Sequence, residues 1–194
     1  MKSVPRWGLL SAATAPVVLI GGWTLAAARQ AGGFDSVTGT ISALAAHGAT
    51  DRWLMTSALV ALGACHVATA AALRPARRTG RAVLAFGGVA TIGVAVFPLP
   101  QVGSSQAHKV CAGLAFGALA VWPLGAAVRG PGVPWALRLR TSAVATAGLL
   151  ALVGWFVAAG QQDAAGGLSE RSAAGAQALW PLAVVLALRP LPNP

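Results

Sequence analysis

Charge is scarce in this sequence. Only 9% of the 194 residues are charged and 56% are hydrophobic, whereas an ordinary soluble domain carries about 25% charged residues. Such a chain cannot clothe a surface in water, which excludes a soluble globular protein and a disordered tail. Acids are the rarest group: Asp35, Asp51, Asp163 and Glu170 are the only four. Cysteine is limited to Cys65 and Cys111, too few for a disulfide framework. At about 1.5 Å of rise per residue they lie roughly 18 Å and 6 Å into their helices from the same side, too unequal in depth to pair. Both are expected reduced and buried. His47, His66 and His108 form no HxxxH or HExxH, and there is no CxxC. Neither a zinc site nor a transmembrane bis-histidine haem is therefore expected. An intramembrane hydrolase of the alkaline ceramidase kind, which needs a three-histidine cluster, is disfavoured for the same reason. No GxGxxG opens a helix after a strand, so no cofactor and no metal are expected.

Long apolar runs are what the chain has in quantity. Six of them, Trp7 to Ala28, Trp53 to Leu73, Arg81 to Pro100, Ala107 to Val128, Thr141 to Gly160 and Ser172 to Leu188, reach or approach the length that crosses a bilayer. They predict an all-α polytopic membrane protein, a bundle of six transmembrane helices forming one domain over residues 1–194. The first run is long for a signal peptide and reads as a retained span.

The formal charge of +10 does not point to nucleic acid, because the basic residues sit in short loops between apolar spans. They set orientation instead. With the N-terminus inside, Lys2, Arg6, Arg74, Arg77, Arg78, Arg81, Arg129, Arg138, Arg140 and Arg189 fall on the inner side, and Arg29, Arg52, Lys109 and Arg171 on the outer. This asymmetry places both termini in the cytoplasm of a cell with a multi-pass inner (plasma) membrane protein. Membrane lipids are the expected surroundings.

All four acids fall on the outer side. The longest outer loop, Arg29 to Arg52, carries a stretch that reads as a short helix capped by Asp35 and stopped by Gly48. Around it gather Ser42, His47, Asp51 and Arg52, then His108 and Lys109, then Gln161, Gln162, Asp163, Ser169, Glu170 and Arg171. Thr50, Ser105 and Ser169 each precede a helix start and read as N-caps. Arg52 and Arg171 read as snorkelling anchors. His108 opens a helix, where the positive end of the dipole favours a neutral imidazole. His66 lies roughly 20 Å into its helix, where a polar side chain must find a partner. Trp23, Trp53, Phe97 and Trp155 map to the outer half and Trp180 near mid-depth, either as an aromatic belt or as walls of a cavity suited to an apolar ligand or a cation. Gly113 and Gly117 form a GxxxG, which reads as a close-packing device. Pro123 and Pro181 lie inside spans and are expected to kink them.

In its order of pieces the chain resembles a bacterial membrane family, domain of unknown function 998. The resemblance rests on Ile41-Ser42-Ala43-Leu44, Phe97-Pro98, His108, and Gly167-Leu168-Ser169-Glu170-Arg171 followed by Trp180. Where the family carries Asp after the Ser, this chain has Ala43. The resemblance implies the membrane fold and a site on the outer side, without naming a reaction.

Three classes of function compete. A transporter is disfavoured because no charged residue sits at mid-depth and no inverted repeat is evident. A non-catalytic lipid-binding or partner subunit is the alternative. The favoured expectation is a cofactor-free enzyme acting by general acid chemistry on a lipid-soluble, isoprenoid-like substrate, in the manner of membrane-bound terpene cyclases or isomerases. Asp51 or Glu170 is expected as the acid, with Asp35 next, and His108 as the base. Trp23, Ser42, His47, Trp53, His66, Phe97, Trp155 and Trp180 are the expected substrate contacts.

Overall fold

The computed structural model describes residues 4–161 and 165–189; Lys2, Gln162 and Asp163 lie outside them. Backbone that enters lipid must satisfy its own polar groups, and the apolar runs do so as helices. These are α1 (Arg6–Ala28), α2 (Ile41–Leu44), α3 (Trp53–Ala72), α4 (Arg78–Val96), α5 (Gln106–Ala126), α6 (Leu139–Gln161) and α7 (Gly166–Ala187), with a 3-10 turn at Trp135–Leu137. Among the described residues there is no strand, only an isolated backbone bridge between Val128 and Arg138. Helices α1, α3, α4, α5 and α6 are long and apolar enough to cross a membrane. The 22 residues of α7 match them in length, but it carries Glu170, Arg171 and Gln177.

Several boundaries differ from expectation, each for a local reason. Helix α4 stops at Val96 rather than running to Pro100, because the residue before a proline is pushed out of the helical region and Phe97 precedes Pro98. Helix α7 starts six residues before Ser172, so Ser169 is not its cap: the Ser169 hydroxyl donates to the carbonyls of Ala165 and Gly166, each at 3.0 Å. Thr50 does not cap α3, whose N-cap position is taken by Arg52 without a side-chain bond. Ser105 does cap α5, accepting from the His108 amide at 3.2 Å. The loop helix is the four-residue α2, capped by Thr40. Asp35 closes a separate turn upstream of it.

Each long helix packs on its neighbour in sequence, and α7 packs back on α1, which closes a ring. Glycines set the tight crossings. A Cβ on Gly63 would strike the Gly88 carbonyl, and one on Gly88 would approach the Gly63 carbonyl, so α3 and α4 meet backbone to backbone. Gly80 meets Ala126 of α5 in the same way. Pro123 leaves the turn around it short of bonds, and the Leu124 amide donates across to the Thr146 hydroxyl of α6 at 3.2 Å. Cys65 and Cys111 are unbridged, and each is only partly buried.

Candidate functional site

The loop between α1 and α3 folds onto the first turn of α7. The Gly167 and Leu168 amides donate to the carbonyls of Thr38 at 3.1 Å and Val37 at 2.9 Å, pairing two donors that a helix start leaves free. A Cβ on Gly167 would collide with the Gly39 carbonyl, so only glycine permits this approach. In return the Ile41 amide donates to Glu170 Oε2, and the Ser42 hydroxyl donates to Oε1 at 3.0 Å. Arg171 does not snorkel. Its Nη1 reaches the carbonyls of Ser36 at 3.1 Å, Gly39 at 2.7 Å and Gly167 at 3.0 Å. Its guanidinium lies 5.8 Å from the ring centre of Trp23 and 5.7 Å from that of Phe34, within cation–π range of both. The motif from Gly167 to Arg171 is a clamp on the loop.

Docking leaves Glu170 only 3% exposed, at the junction of two cavities. An inner chamber of about 50 Å³ has His66, Thr91 and Gln177 in its otherwise largely apolar wall. A cleft of about 400 Å³ between α5 and α6 is lined by His108, Lys109, Gly113, Phe116, Gly117 and Phe156, among others. Ser42, Ala112, Phe116 and Glu170 line both, so the two spaces adjoin at the carboxyl group. The GxxxG of α5 is not a packing device: a Cβ on Gly113 or Gly117 would meet nothing within 4 Å. The missing side chains widen the cleft instead. Phe116 and Phe156 face each other there, with ring centres 5.2 Å apart.

His108 is 5% exposed, and its Nδ1 lies 2.9 Å from the Phe97 carbonyl. A carbonyl only accepts, so Nδ1 carries the hydrogen, and in the neutral ring Nε2 keeps a lone pair. Phe97 thus contributes its backbone oxygen, while its ring is exposed. His66 is 1% exposed, and neither ring nitrogen has a hydrogen-bond partner among the described residues.

The remaining expected site residues lie apart from the two cavities. Asp51 has a left-handed backbone, φ 49°, and its carboxylate stands 3.9 Å from Arg29 near the surface. Asp35 accepts from the Val37 amide at 2.9 Å and the Thr38 hydroxyl at 2.8 Å; these bonds hold its carboxyl below the ordinary value of 3.8. His47 is exposed and lines a separate hollow beside Gln101. Trp53 and Trp155 are exposed. Trp23 stacks on Arg171 rather than lining a cavity. Trp180 meets Trp135 edge-on, with ring centres 6.3 Å apart, next to the 3-10 turn at the opposite end. Of the expected set, Glu170, His108, Ser42 and His66 are brought together.

Thr91, Phe116 and Gln177 are among the lining residues that had not been singled out. Helical spacing held a signal for Gln177. Glu170, Ala174 and Gln177 recur at i, i+4 and i+7 on one face of α7, as Leu59, Leu62 and His66 do at i, i+3 and i+7 on α3.

No curated protein and no solved structure matches the chain. Residues 12–187 match the family described as Protein of unknown function (DUF998). That match takes in all the long helices except the first six residues of α1, five of them can cross a membrane, and the chain is an integral membrane protein belonging to the DUF998 family.

Proposed function

We infer that this protein takes a lipid-soluble, isoprenoid-like molecule into the cleft between α5 and α6 and acts on it by cofactor-free general acid chemistry. The chain forms one domain of six spans, α7 being the sixth, in the inner membrane with both termini cytoplasmic. One observation carries the reading: the buried Glu170 carboxyl and the His108 imidazole, held by the Phe97 carbonyl, line the same aromatic-walled cleft.

The chemistry follows from that pairing. Protonated Glu170 gives its proton to one carbon of an alkene, leaving a carboxylate and a carbocation. The faces of Phe116 and Phe156 stabilise the cation. His108 Nε2 removes a proton from the carbon next to the cation, and the electron pair of that C–H bond forms the new double bond. The two protons balance, so the product is a double-bond isomer of the substrate, or a ring-closed isomer where the electron pair of a second alkene first bonds to the cation and the proton is lost beside the new cation. Water at the mouth takes the proton from His108 and returns one to Glu170. Asp35 and Asp51, on the surface, take no part.

A second reading, a non-catalytic lipid-binding subunit, is favoured by the bonds from Ile41 and Ser42 to Glu170, which tie down the loop without any reaction. Mass spectrometry of lipids co-purifying with the protein, followed by incubation with prenylated substrates, separates the two. An isoprenoid should be retained by the native protein and lost from Gly117→Leu, whose side chain fills the cleft. Glu170→Gln and His108→Asn should retain it unconverted. Retention without conversion by the native protein leaves the lipid-binding reading, and no retained or converted isoprenoid removes both.

A further inference from the structure

The acid and base of the cleft leave the buried His66 unused. His66 presents a donor and an acceptor with no partner among the described residues, and a buried polar atom left unpaired is costly. The ring is therefore matched to something that enters the chamber it lines. The neighbouring polar groups limit what that is. Gln177 Nε2 gives one of its two hydrogens to the Phe116 carbonyl at 2.9 Å, which leaves its other N–H as a donor and its Oε1 as an acceptor. The Thr91 hydroxyl already donates to the Gly87 carbonyl at 2.9 Å and offers only lone pairs. With the Glu170 carboxyl group also in the wall, the chamber presents donors and acceptors together, and a neutral His66 adds one of each. A hydroxyl group, which accepts one bond and donates another, fits this set. A carbonyl or ether can only accept, and a hydrocarbon does neither.

Size points the same way. About 50 Å³ holds a hydroxyl and little of its chain, whereas the adjoining cleft of about 400 Å³ has room for a prenyl tail. We propose that the inner chamber is the head-group subsite of the cleft and receives the hydroxyl of a long-chain isoprenoid alcohol. His66 donates to the hydroxyl oxygen, the hydroxyl donates to Gln177 Oε1, and the tail lies between α5 and α6. This assignment rests on the cleft being a lipid site and narrows its ligand to alcohols. Water shares the donor-and-acceptor character of a hydroxyl and is the competing occupant.

The experiment measures equilibrium binding of geranylgeraniol and of its deoxy hydrocarbon to the full chain in phosphatidylcholine nanodiscs. The native protein should bind the alcohol about ten-fold more tightly than the hydrocarbon, in keeping with one or two net hydrogen bonds. His66→Leu should erase that difference while leaving hydrocarbon binding unchanged, and His66→Gln, which keeps a donor and an acceptor, should retain most of it. Because the ring has no partner among the described residues, His66→Leu should leave the Tm undiminished, which separates a ligand role from a structural one. Equal binding of the two probes by the native protein, or undiminished preference for the alcohol in His66→Leu, would overturn the head-group assignment and leave the chamber to water. Binding of neither probe would overturn both this assignment and the lipid cleft beneath it.

Discussion

The Ser42 hydroxyl donates to Oε1 of the Glu170 carboxyl group at 3.0 Å across a sequence separation of 128 residues. With the Ile41 amide on the other oxygen, this contact ties the loop after α1 to the last long helix and sets the wall between chamber and cleft.

Removing that carboxyl group should loosen the mouth. Glu170→Ala leaves the Ile41 amide and the Ser42 hydroxyl buried without their acceptor, at a cost of about 1–3 kcal/mol. The Tm in detergent should fall by several degrees, and protease should cut the loop around Ser36 sooner. Glu170→Gln, which keeps one acceptor oxygen, should lie between Ala and the native protein. An unchanged Tm in Glu170→Ala would show that the clamp contributes nothing to stability.

The glycines should divide into two groups by the space beside them. Gly63→Ala and Gly88→Ala force backbone apart where α3 crosses α4, and both should lower the Tm. Gly113→Ala and Gly117→Ala put a methyl into open space and should leave the Tm level or raise it slightly, since alanine favours a helix by about 1 kcal/mol over glycine. Equal losses in the two groups would contradict the packing described for α5.

Asp35 should titrate below its ordinary value of 3.8, because the Val37 amide and Thr38 hydroxyl favour the carboxylate. A carboxyl depressed in the fold contributes to the loop's order above the unfolded value and loses that contribution as the pH falls through the folded one. Carbon-detected NMR of the Asp35 carboxyl should give a midpoint under 3.8, and Thr38→Val should raise it toward the ordinary value. A midpoint above 3.8 would mean that the turn does not hold in the membrane.

Single cysteines placed in a cysteine-free background test the orientation drawn from basic residues. A membrane-impermeant maleimide added to intact cells should label positions 103 and 165 and spare 79 and 132. The reverse pattern would turn the clamp and cleft toward the cytoplasm.

The helices were legible because a run of apolar side chains near 20 residues has few other solutions in lipid. The end of α4 was not: the expected span ran through Phe97 and Pro98 to Pro100, although the proline rule stops it earlier. The site was legible only in part. His108 at a helix start and Glu170 in a local motif are short-range features. That Glu170 rather than Asp51 is buried depends on which residues of the loop reach α7, a pairing that no local pattern encodes. The GxxxG of α5 was misleading for a related reason: the motif records two absent side chains, and the neighbouring helix decides whether the gap is closed or kept. His66 was visible as an oddity, but its chamber exists only once α3, α4, α5 and α7 are assembled.

The clamp also fixes an order of events during synthesis. The Val37 and Thr38 carbonyls and the Ile41 amide emerge early, directly after α1, yet the groups that satisfy them lie on α7, which emerges after every other long helix. Until then these three groups have only water and the loop's own turns as partners. The mouth is therefore the last joint of the molecule to close, and a nascent chain halted before α7 would insert its earlier spans with both chamber and cleft still open.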